Sequence, residues 1–433
     1  IGKKQLLVDC GMYQGTKDVS RRNYEPFNFD PKKIDAVLLT HAHIDHSGLL
    51  PKLVAKGFTG SIYCTSATMD LVKHLLIDSA HIHFFENKYD NRRLKAQGLP
   101  LRKPLYTVKD AEQVFKQLKG VSYKETVRPF DGVCAIFKDA GHILGSAIIE
   151  VFAEGKKIVF SGDLGNKDAP IIDDPTVITE ADYVVCESTY GGRAHERASE
   201  KNQLLLKAIK DTYKKGGKLI IPAFAVERTQ EILYRLNEMQ EDGKLPAMPI
   251  FVDSPLGIKA TRVFIKHTEN YDEEARAHLA HGDQIFQFKG LKFLEKSQQS
   301  KELNTFVGPC IIISSSGMCS GGRIKHHLKH HLPGANNMIL FVGYQARGTL
   351  GRRIKEGQKN VRIYGESIRV RAEVRSITGF SAHADQPQLL KWLGAFKTDP
   401  KIFLVHGDPE EAQVLRGLLP KGNVAKLHQK VTL

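Results

Sequence analysis

Short apolar runs bounded by polar and glycine-containing segments recur along the chain, a pattern that predicts buried strands joined by loops and helices. One clear run, AVLL at residues 36–39, is followed at once by THAHIDHSG, residues 40–48. A helix is expected next, from Ser47 to Lys56. Four side chains of metal-binding type therefore begin where a predicted strand ends, which is where open α/β sheets place their functional sites.

The spacing H-x-H-x-D-H in this loop predicts a metal site. Residues i and i+2 of an extended segment point the same way, so His41 and His43 can hold one ion. The turn into the next helix directs Asp45 and His46 towards a neighbouring position. We therefore expect one short loop to serve two metal ions. The alternative, solvated loop histidines beside a helix-capping aspartate, is disfavoured because four ligand types fall within six positions.

Later loops repeat this arrangement, each placing a histidine or carboxylate after an apolar run. They are His142 in GHILGSA, Asp163 in SGDLG, Glu187 in ESTYG, His383 in GFSAHAD and His406 in HGD. Asp9 likewise ends an opening strand predicted from Gln5 to Val8, where it either orients a ligand or a water or forms a turn. Random placement would scatter such residues over both strand ends, so their shared position predicts convergence on one rim of a sheet.

The residue types predict two zinc ions, and manganese also suits them. The first ion is assigned to His41, His43 and His142, the second to Asp45, His46 and His406, and Asp163 is expected to bridge them. Two ions about 3.5–4 Å apart generate hydroxide near neutral pH and stabilise an in-line displacement. Such a site suits a phosphodiester, but equally a lactone or a thioester, so the metals alone do not choose the substrate.

Glu187 and His383 are not needed as ligands by this two-metal set. A carboxylate partner can keep a histidine protonated, which would make His383 the general acid for an alkoxide leaving group. The alternative is a structural histidine in a glycine-rich turn. The predicted catalytic residues are Asp45, His383, Glu187 and Asp9.

Two segments favour a phosphate-containing substrate. SSSGMCSGGR, residues 314–323, is a Ser/Gly loop leading into a helix N-terminus, where N–H groups and hydroxyls bind phosphate; ordinary turns share this composition. The basic run 352–375 would place Arg369, Arg371 and Arg375 on one face of a strand, with a solvated edge as the alternative. The predicted phosphate or RNA contacts are Ser314, Ser315, Ser316, Gly317, Ser381, Arg323 and Arg347. His326, His327, His330 and His331, on one predicted helix, are interpreted as exposed and RNA-facing.

Between residues 191 and 370 strands alternate with helices and the strand-end ligand pattern is nearly absent, which predicts an inserted parallel α/β domain. We therefore divide the chain into a first domain part at 1–190, the insertion at 191–370, and a second part of the first domain at 371–433. A cleft between the two domains is expected to lie over the metals.

The 433 residues and the formal charge of +15 support two domains and a polyanionic partner, nucleic acid before an anionic membrane surface. A generically basic surface is the alternative. The segment 86–104 is basic, with Arg92, Arg93, Lys95, Arg102 and Lys103, and is interpreted first as a solvated lobe and second as a phosphate-contacting rim. Six cysteines without a CxxC pair and the lack of a bilayer-length apolar run indicate a cytoplasmic protein without membrane contact.

The motifs together resemble metallo-β-lactamase-fold nucleases with a β-CASP insertion, in the RNA-processing branch that includes the cleavage and polyadenylation endonuclease subunit. VDCG, HAHIDH, GHILGSA and SGDLG match the metallo-β-lactamase motifs, and ESTYG, SAHAD and VHGD match the β-CASP motifs. The resemblance implies an αββα sandwich carrying an inserted α/β domain. In that family the last histidine is a metal ligand in RNA enzymes and is typically apolar in the DNA-repair branch, so His406 implies RNA.

The resemblance further implies cleavage that leaves a 5′-phosphate and a 3′-hydroxyl, with His383 and Glu187 assisting the leaving oxygen. Unlike some relatives, the sequence shows no KH domain and opens at Ile1 without the usual first hairpin, so substrate choice is expected from the cleft or a partner. We predict a two-zinc endoribonuclease that acts on RNA, with a homodimer or an RNA-processing complex as the expected assembly. The alternatives are a 5′ to 3′ exonuclease like ribonuclease J, a small-molecule hydrolase, and a non-catalytic scaffold.

Overall fold

The structure, a computed structural model, describes residues 1–15, 17–195, 198–343, 345–346, 348–377 and 379–432. The chain forms two compact units. Unit 1 comprises residues 1–168, 174–194 and 383–433, and unit 2 comprises residues 169–173 and 195–382. The main changes of unit thus fall at 194/195 and 382/383, whereas the sequence placed them at 190/191 and 370/371.

Strands and helices are numbered along the chain. The strands are β1 (Leu6–Val8), β2 (Ala36–Leu38), β3 (Ser61–Thr65), β4 (Leu118–Val121), β5 (Thr126–Val127), β6 (Val133–Asp139), β7 (Ala147–Ala153), β8 (Lys156–Phe160), β9 (Tyr183–Glu187), β10 (Lys218–Pro222), β11 (Ile250–Val252), β12 (Leu291–Phe293), β13 (Cys310–Ser314), β14 (Met338–Phe341), β15 (Asn360–Ile363), β16 (Glu366–Arg369), β17 (Glu373–Ser376), β18 (Lys401–Val405) and β19 (Asn423–Val424). The helices are α1 (Lys17–Arg21), α2 (Ile44–Ser47), α3 (Leu50–Ala55), α4 (Ser66–Ala96), α5 (Val108–Phe115), α6 (Ala198–Lys214), α7 (Arg228–Glu241), α8 (Pro255–Lys266), α9 (Glu273–Ala280), α10 (Ser297–Glu302), α11 (Ile324–His331), α12 (Leu350–Lys355), α13 (Gln386–Leu393) and α14 (Pro409–Leu418).

Unit 1 is a sandwich of two sheets between helices. A parallel four-stranded sheet, order β1-β2-β3-β4, faces a mixed seven-stranded sheet, order β19-β18-β9-β8-β7-β6-β5. Leu38 and Val121 from the first sheet share one buried cluster with Phe137 and Ile149 from the second. Helix α4 packs against β3 and β4, while residues of α13 and α14 pack with the seven-stranded sheet. The predicted αββα sandwich is confirmed.

Strand direction in the seven-stranded sheet explains how the ligand-type residues come together. Strands β6 and β8 both run antiparallel to β7, so they are parallel to each other, and β8, β9 and β18 are parallel. The carboxyl ends of β6, β8, β9 and β18 therefore lie at one edge of the sheet. Each of these ends is followed by, or contains, one of the predicted site residues.

Unit 2 is a three-layer α/β unit. Its parallel sheet has the order β12-β11-β13-β10-β14-β17, and helices connect successive strands as the sequence pattern predicts. The four central strands β11, β13, β10 and β14 are buried and largely apolar, as expected for a parallel sheet covered on both faces. The predicted inserted α/β fold is confirmed. Among the described residues, no helix combines the length and apolarity needed to cross a bilayer.

The basic run 352–375 is not one strand, contrary to the interpretation that Arg369, Arg371 and Arg375 share a face. Arg369 ends β16 of a two-stranded hairpin, Arg371 lies in the connection, and Arg375 lies in β17 at the sheet edge. Arg375 is also engaged, with Nη2 2.8 Å from Asp211 and 2.6 Å from Glu373. The chain turns here because β15 and β16 form an antiparallel hairpin before the chain joins the parallel sheet.

The interpretation of four exposed histidines on α11 is wrong for two of them. His326 and His330 are exposed, but His327 and His331 are buried. Residues four apart lie on the same face of a helix, so the inward pair follows from the buried Ile324 and Leu328 beside it.

Candidate metal centre

Four side chains meet at the strand ends of unit 1. His41 and His43 follow β2, His142 follows β6 and Asp163 follows β8. His43 Nδ1 lies 3.1 Å from His41 Nε2 and 3.2 Å from His142 Nε2. Asp163 Oδ2 lies 3.5 Å from His41 Nε2 and 3.6 Å from His142 Nε2. Three nitrogens and one oxygen therefore surround a single point.

The size of this group fits a tetrahedral metal ion. Ligand atoms about 2.0–2.1 Å from zinc are about 3.3–3.4 Å from one another in a tetrahedron. The measured separations of 3.1–3.6 Å bracket that value. Burial is the main cause that lowers the pKa of His41 well below its usual value and also lowers that of His43, which keeps both imidazoles neutral as metal ligands require.

A second group lies on the other oxygen of Asp163. Asp163 Oδ1 is 3.2 Å from His46 Nε2 and 3.3 Å from His406 Nδ1. His406 Nε2 in turn lies 3.5 Å from Asp45 Oδ2. Asp163 thus presents one oxygen to each group, the geometry expected of a residue that bridges two ions.

Two buried atoms show that this arrangement calls for a cation. His46 Nε2 and Asp163 Oδ1 are buried and make no hydrogen bond within the described residues. Asp163 Oδ1 faces the ring nitrogens of His46 and His406 without a hydrogen bond to either, and a buried carboxylate oxygen in this position would be stabilised by a bound divalent cation. Burial alone would raise the pKa of Asp163, but the surrounding histidines, His406 and His46 foremost, hold it well below its usual range.

Asp9 fixes the orientation of His46. Its Oδ2 lies 2.7 Å from His46 Nδ1 and accepts a hydrogen bond of 2.8 Å from Thr40 Oγ1, and its Oδ1 accepts one of 2.7 Å from the Thr40 N–H. With Nδ1 held on Asp9, Nε2 is the nitrogen that faces Asp163. A carboxylate behind a ligating histidine sets its tautomer and ring direction.

Glu187 and His383 form a pair beside the first group. Glu187 is fully buried at the end of β9 and accepts hydrogen bonds from the N–H groups of Leu164, at 2.7 Å, and Thr189, at 3.2 Å. His383 Nδ1 lies 3.1 and 3.2 Å from its two oxygens, and the His383 ring lies 4.5 Å from that of His142, centre to centre. Burial alone would lower the pKa of His383, but Glu187 and then Asp163 raise it.

The Ser/Gly loop 314–323 belongs to unit 2 and is held by Asp253, which follows β11. Ser314 Oγ donates to the Asp253 carbonyl at 2.7 Å, and Ser254 Oγ donates to Ser315 Oγ at 2.9 Å. Ser316 Oγ accepts from the N–H groups of Ser320 and Gly321 at 3.1 and 3.3 Å. The loop is internally bonded rather than open.

Arg323 is engaged inside the protein. Its Nη1 lies 2.6 Å from Asp253 Oδ1 and donates to the Leu294 carbonyl at 2.8 Å, and its Nη2 donates to the Glu295 carbonyl. A Cβ added at Gly317 would lie 3.0–3.1 Å from three atoms of Phe224, so Phe224 would have to shift to accommodate it. Ser381 is half-buried two residues before His383, and Arg347 lies outside the described residues. Their contacts with RNA stay predictions.

Sequence reasoning missed three residues of these networks. Thr40 joins Asp9 to the ligand loop, Ser161 Oγ accepts from the Glu187 N–H at 3.0 Å, and Asp253 anchors the Ser/Gly loop. Thr40 directly precedes the first histidine and Asp253 directly follows a strand, so both carried the strand-end signal. Ser161 also directly follows a strand, as the first residue of SGDLG, but its hydrogen bond to the Glu187 N–H depends on the neighbouring strand β9.

Three domain families match successive parts of the chain. Residues 1–184 match the metallo-beta-lactamase superfamily domain, residues 229–354 the Beta-Casp domain, and residues 367–425 the Zn-dependent metallo-hydrolase RNA specificity domain. The first match lies mainly in the first part of unit 1, the second in unit 2, and the third mostly in the second part of unit 1.

Several named proteins are similar over nearly the whole chain. Ribonuclease TTHA0252 of Thermus thermophilus is 40% identical over 96% of this chain and 91% of its own length. Transcription termination factor FttA of Methanocaldococcus jannaschii is 32% identical over 96% of this chain and 66% of its own, so this chain spans about two thirds of that relative. An RNase J-like protein of the same organism is 32% identical over 94% of this chain and 87% of its own. A crystal structure of a protein of unknown function from Enterococcus faecalis shares the fold, with a TM-score of 0.50, 11% identity, and coverage of 95% of this chain and 84% of that one.

Proposed function

Because this chain belongs to the β-CASP branch of the metallo-β-lactamase superfamily, we propose that it is a zinc-dependent endoribonuclease that leaves 5′-phosphate and 3′-hydroxyl ends. The proposal rests on the position of the Asp163 carboxylate, which places one oxygen beside each of two ligand groups. The relatives named as ribonucleases support RNA as the substrate.

The first ion would be held by His41, His43 and His142, the second by Asp45, His46 and His406, and Asp163 would serve both. When bound, two divalent ions lower the pKa of water and stabilise the charge that develops on a phosphoryl group. Burial favours the neutral forms of His41 and His43, and the neighbouring histidines favour the ionised form of Asp163, which are the forms that bind such ions. Asp163 instead raises the pKa of His46 and of His406 against the effect of burial, so these two histidines would release a proton on binding an ion.

The chain's own residues would orient the reaction and supply a proton. Asp9 fixes the orientation of the His46 ring through Nδ1, and Asp163 places one carboxylate oxygen beside each ligand group. Glu187 binds His383 through Nδ1 and raises its pKa, so Nε2 is assigned to carry the proton to the leaving oxygen. A proton delivered by a positioned histidine is worth about 100- to 10,000-fold in rate.

Exonuclease action from a 5′-phosphate is the second candidate. It is favoured by the similarity to the RNase J-like protein. The cysteines support a cytoplasmic location. All six are free thiols, five of them buried, and free thiols are typical of proteins in a reducing compartment. A homodimer or an RNA-processing complex stays a prediction.

The test is cleavage of one RNA labelled in turn at its 5′ and 3′ ends, with wild-type protein and Asp45→Ala, and with zinc content measured for both. Internal fragments from both labels that disappear with the metal are expected. Mononucleotides released only from the 5′ end would establish the exonuclease instead. No cleavage of RNA by wild-type protein that holds two zinc ions would contradict both ribonuclease proposals.

A further inference from the structure

The second half of helix α4 exposes large apolar side chains. Ile82 is 50% exposed, Phe84 54%, Phe85 64% and Tyr89 74%. The solvent face of a helix is ordinarily polar, and a contiguous exposed apolar patch marks an interaction site. Three of these four side chains are aromatic, and the rings of Phe84 and Phe85 lie edge to face at 5.6 Å.

The opposite face of this half of helix α4 contacts the segment that follows the helix, also in unit 1. The His83 ring packs on Tyr106 at 5.3 Å, and Asn91 exchanges two hydrogen bonds of 2.8 and 2.9 Å with the backbone of Arg102. Positions 83, 87 and 91 therefore face the protein. At 100° per residue, Ile82, Phe85, Tyr89 and Arg92 lie together on the face that points away from it, and Phe84, Lys88 and Lys95 lie along one flank of that face.

Basic side chains flank these aromatics. Residues 81–103 contain six basic and two acidic residues. Lys88, Arg92 and Lys95 are exposed on the same half-helix, and none of them forms an ion pair with any residue that the structure describes. Elsewhere in the molecule exposed lysines and arginines are often paired, as Lys207 is with Asp211 and Arg352 with Glu356. These three charges are therefore available to an external anion.

We propose that this surface, the α4 stripe formed by Phe84, Phe85, Tyr89, Lys88, Arg92 and Lys95, binds single-stranded RNA apart from the metal centre. The inference rests on the proposed ribonuclease function. Bases stack on exposed aromatic rings, and lysine and arginine hold the phosphates, a combination that binds single strands with little sequence preference.

Charge distinguishes RNA from a second copy of this chain. Two copies meeting stripe to stripe would bring Lys88, Arg92 and Lys95 of one against the same residues of the other. Like charges in close contact oppose association, whereas a polyanion complements them. The net charge of +15 favours the polyanion in the same way.

The test compares the wild-type enzyme with the triple variant Phe84→Ala, Phe85→Ala, Tyr89→Ala. The two substrates are a trinucleotide and an oligouridine of about 30 nucleotides, which is longer than one single-strand binding surface covers. For the long RNA, KM should rise at least about tenfold with kcat unchanged, because stacking is lost but the metal centre is intact. Cleavage of the trinucleotide should be unchanged, since it cannot occupy both surfaces.

A charge variant and a matched control complete the experiment. Lys88→Glu combined with Lys95→Glu should raise KM for the long RNA and weaken its dependence on salt concentration. Tyr213→Ala removes an exposed aromatic from helix α6 of unit 2 and should leave both substrates unaffected. Circular dichroism of each variant should match wild type, since every substituted side chain is exposed.

Three outcomes would overturn the inference while leaving the proposed function standing. The first is a KM of the triple variant equal to that of a wild-type enzyme that cleaves RNA. The second is an equal loss of cleavage on the long and the short RNA. The third is a change in the sedimentation of the variant alone, which would assign the stripe to a second copy of the chain. Failure of the wild-type enzyme to cleave either RNA would instead overturn the proposed function, and with it this inference.

Discussion

His383 Nδ1 lies 3.1 Å from Oε1 of Glu187, a carboxylate that two backbone N–H groups also hold in place. Glu187 comes from β9, and His383 is the first residue of unit 1 after unit 2. The pair therefore depends on the chain returning to the same strand end 196 residues later. It can act on a proton without occupying a ligand position in either metal group.

Replacing His383 with alanine should slow RNA cleavage by about two to four orders of magnitude, the scale of a lost general acid, while both metals are retained. Single-turnover rates and metal content of the same sample measure the two effects. Glu187→Gln is the matched variant, because it keeps the size of the partner but removes its charge. Loss of metal from His383→Ala would make this histidine a ligand and contradict its assigned role.

Replacing His406 with alanine should deplete one metal selectively. His406 contacts Asp45 and Oδ1 of Asp163, whereas the group of His41, His43 and His142 meets Oδ2. Metal analysis after exhaustive dialysis should therefore give one ion per chain, compared with two in wild type. Retention of two ions would remove His406 from the ligand set.

Glu231 in unit 2 should be essential to stability. Its buried carboxylate lies 2.8 Å from Lys201 and also pairs with Arg228, and both cations lie over the Phe380 ring. Glu231→Ala leaves two buried cations without their anion, which should lower the free energy of unfolding by about 3–5 kcal/mol.

The control for Glu231 is Glu238→Ala on the same helix, which removes a more exposed carboxylate paired with Arg235 at 2.8 Å. That change should lower the free energy of unfolding by less than about 1 kcal/mol. Urea unfolding compares the variants, and equal losses would contradict the special position of Glu231.

The buried His331 should make stability depend on pH. Burial, followed by the charge of Lys218, lowers its pKa to about 3, and its Nε2 has no hydrogen-bond partner among the described residues. Below pH 6.5 the unfolded chain takes up a proton that the folded chain refuses until about pH 3, so stability falls as pH decreases through this window.

The measurement is urea unfolding of wild type and His331→Leu between pH 7 and pH 5. The difference between their free energies of unfolding should change by about 1 kcal/mol per pH unit below pH 6.5, to the disadvantage of wild type. His281→Gln, at an exposed histidine, should follow wild type. Parallel pH profiles for wild type and His331→Leu would show that His331 takes up its proton as readily in the folded chain as in the unfolded chain, and would contradict the prediction.

The sequence by itself determined the fold class and predicted which side chains would be neighbours at the strand ends. In unit 1 several apolar runs are followed by a histidine or a carboxylate where a strand stops. The carboxyl ends of parallel strands share an edge, so His142, Asp163 and His406 could be grouped without coordinates. The inserted α/β unit followed from the same periodicity, whereas the αββα sandwich was implied by the resemblance of the motifs to a known family.

Only the tertiary structure decided which atoms meet and which side chains are already engaged. Periodicity does not tell that Asp163 turns one oxygen to each ligand group, nor that Arg323 is held by Asp253. It also does not tell which two of the four α11 histidines face inward. Side-chain direction and pairing depend on the elements packed against each strand or helix, and those elements lie far away in sequence.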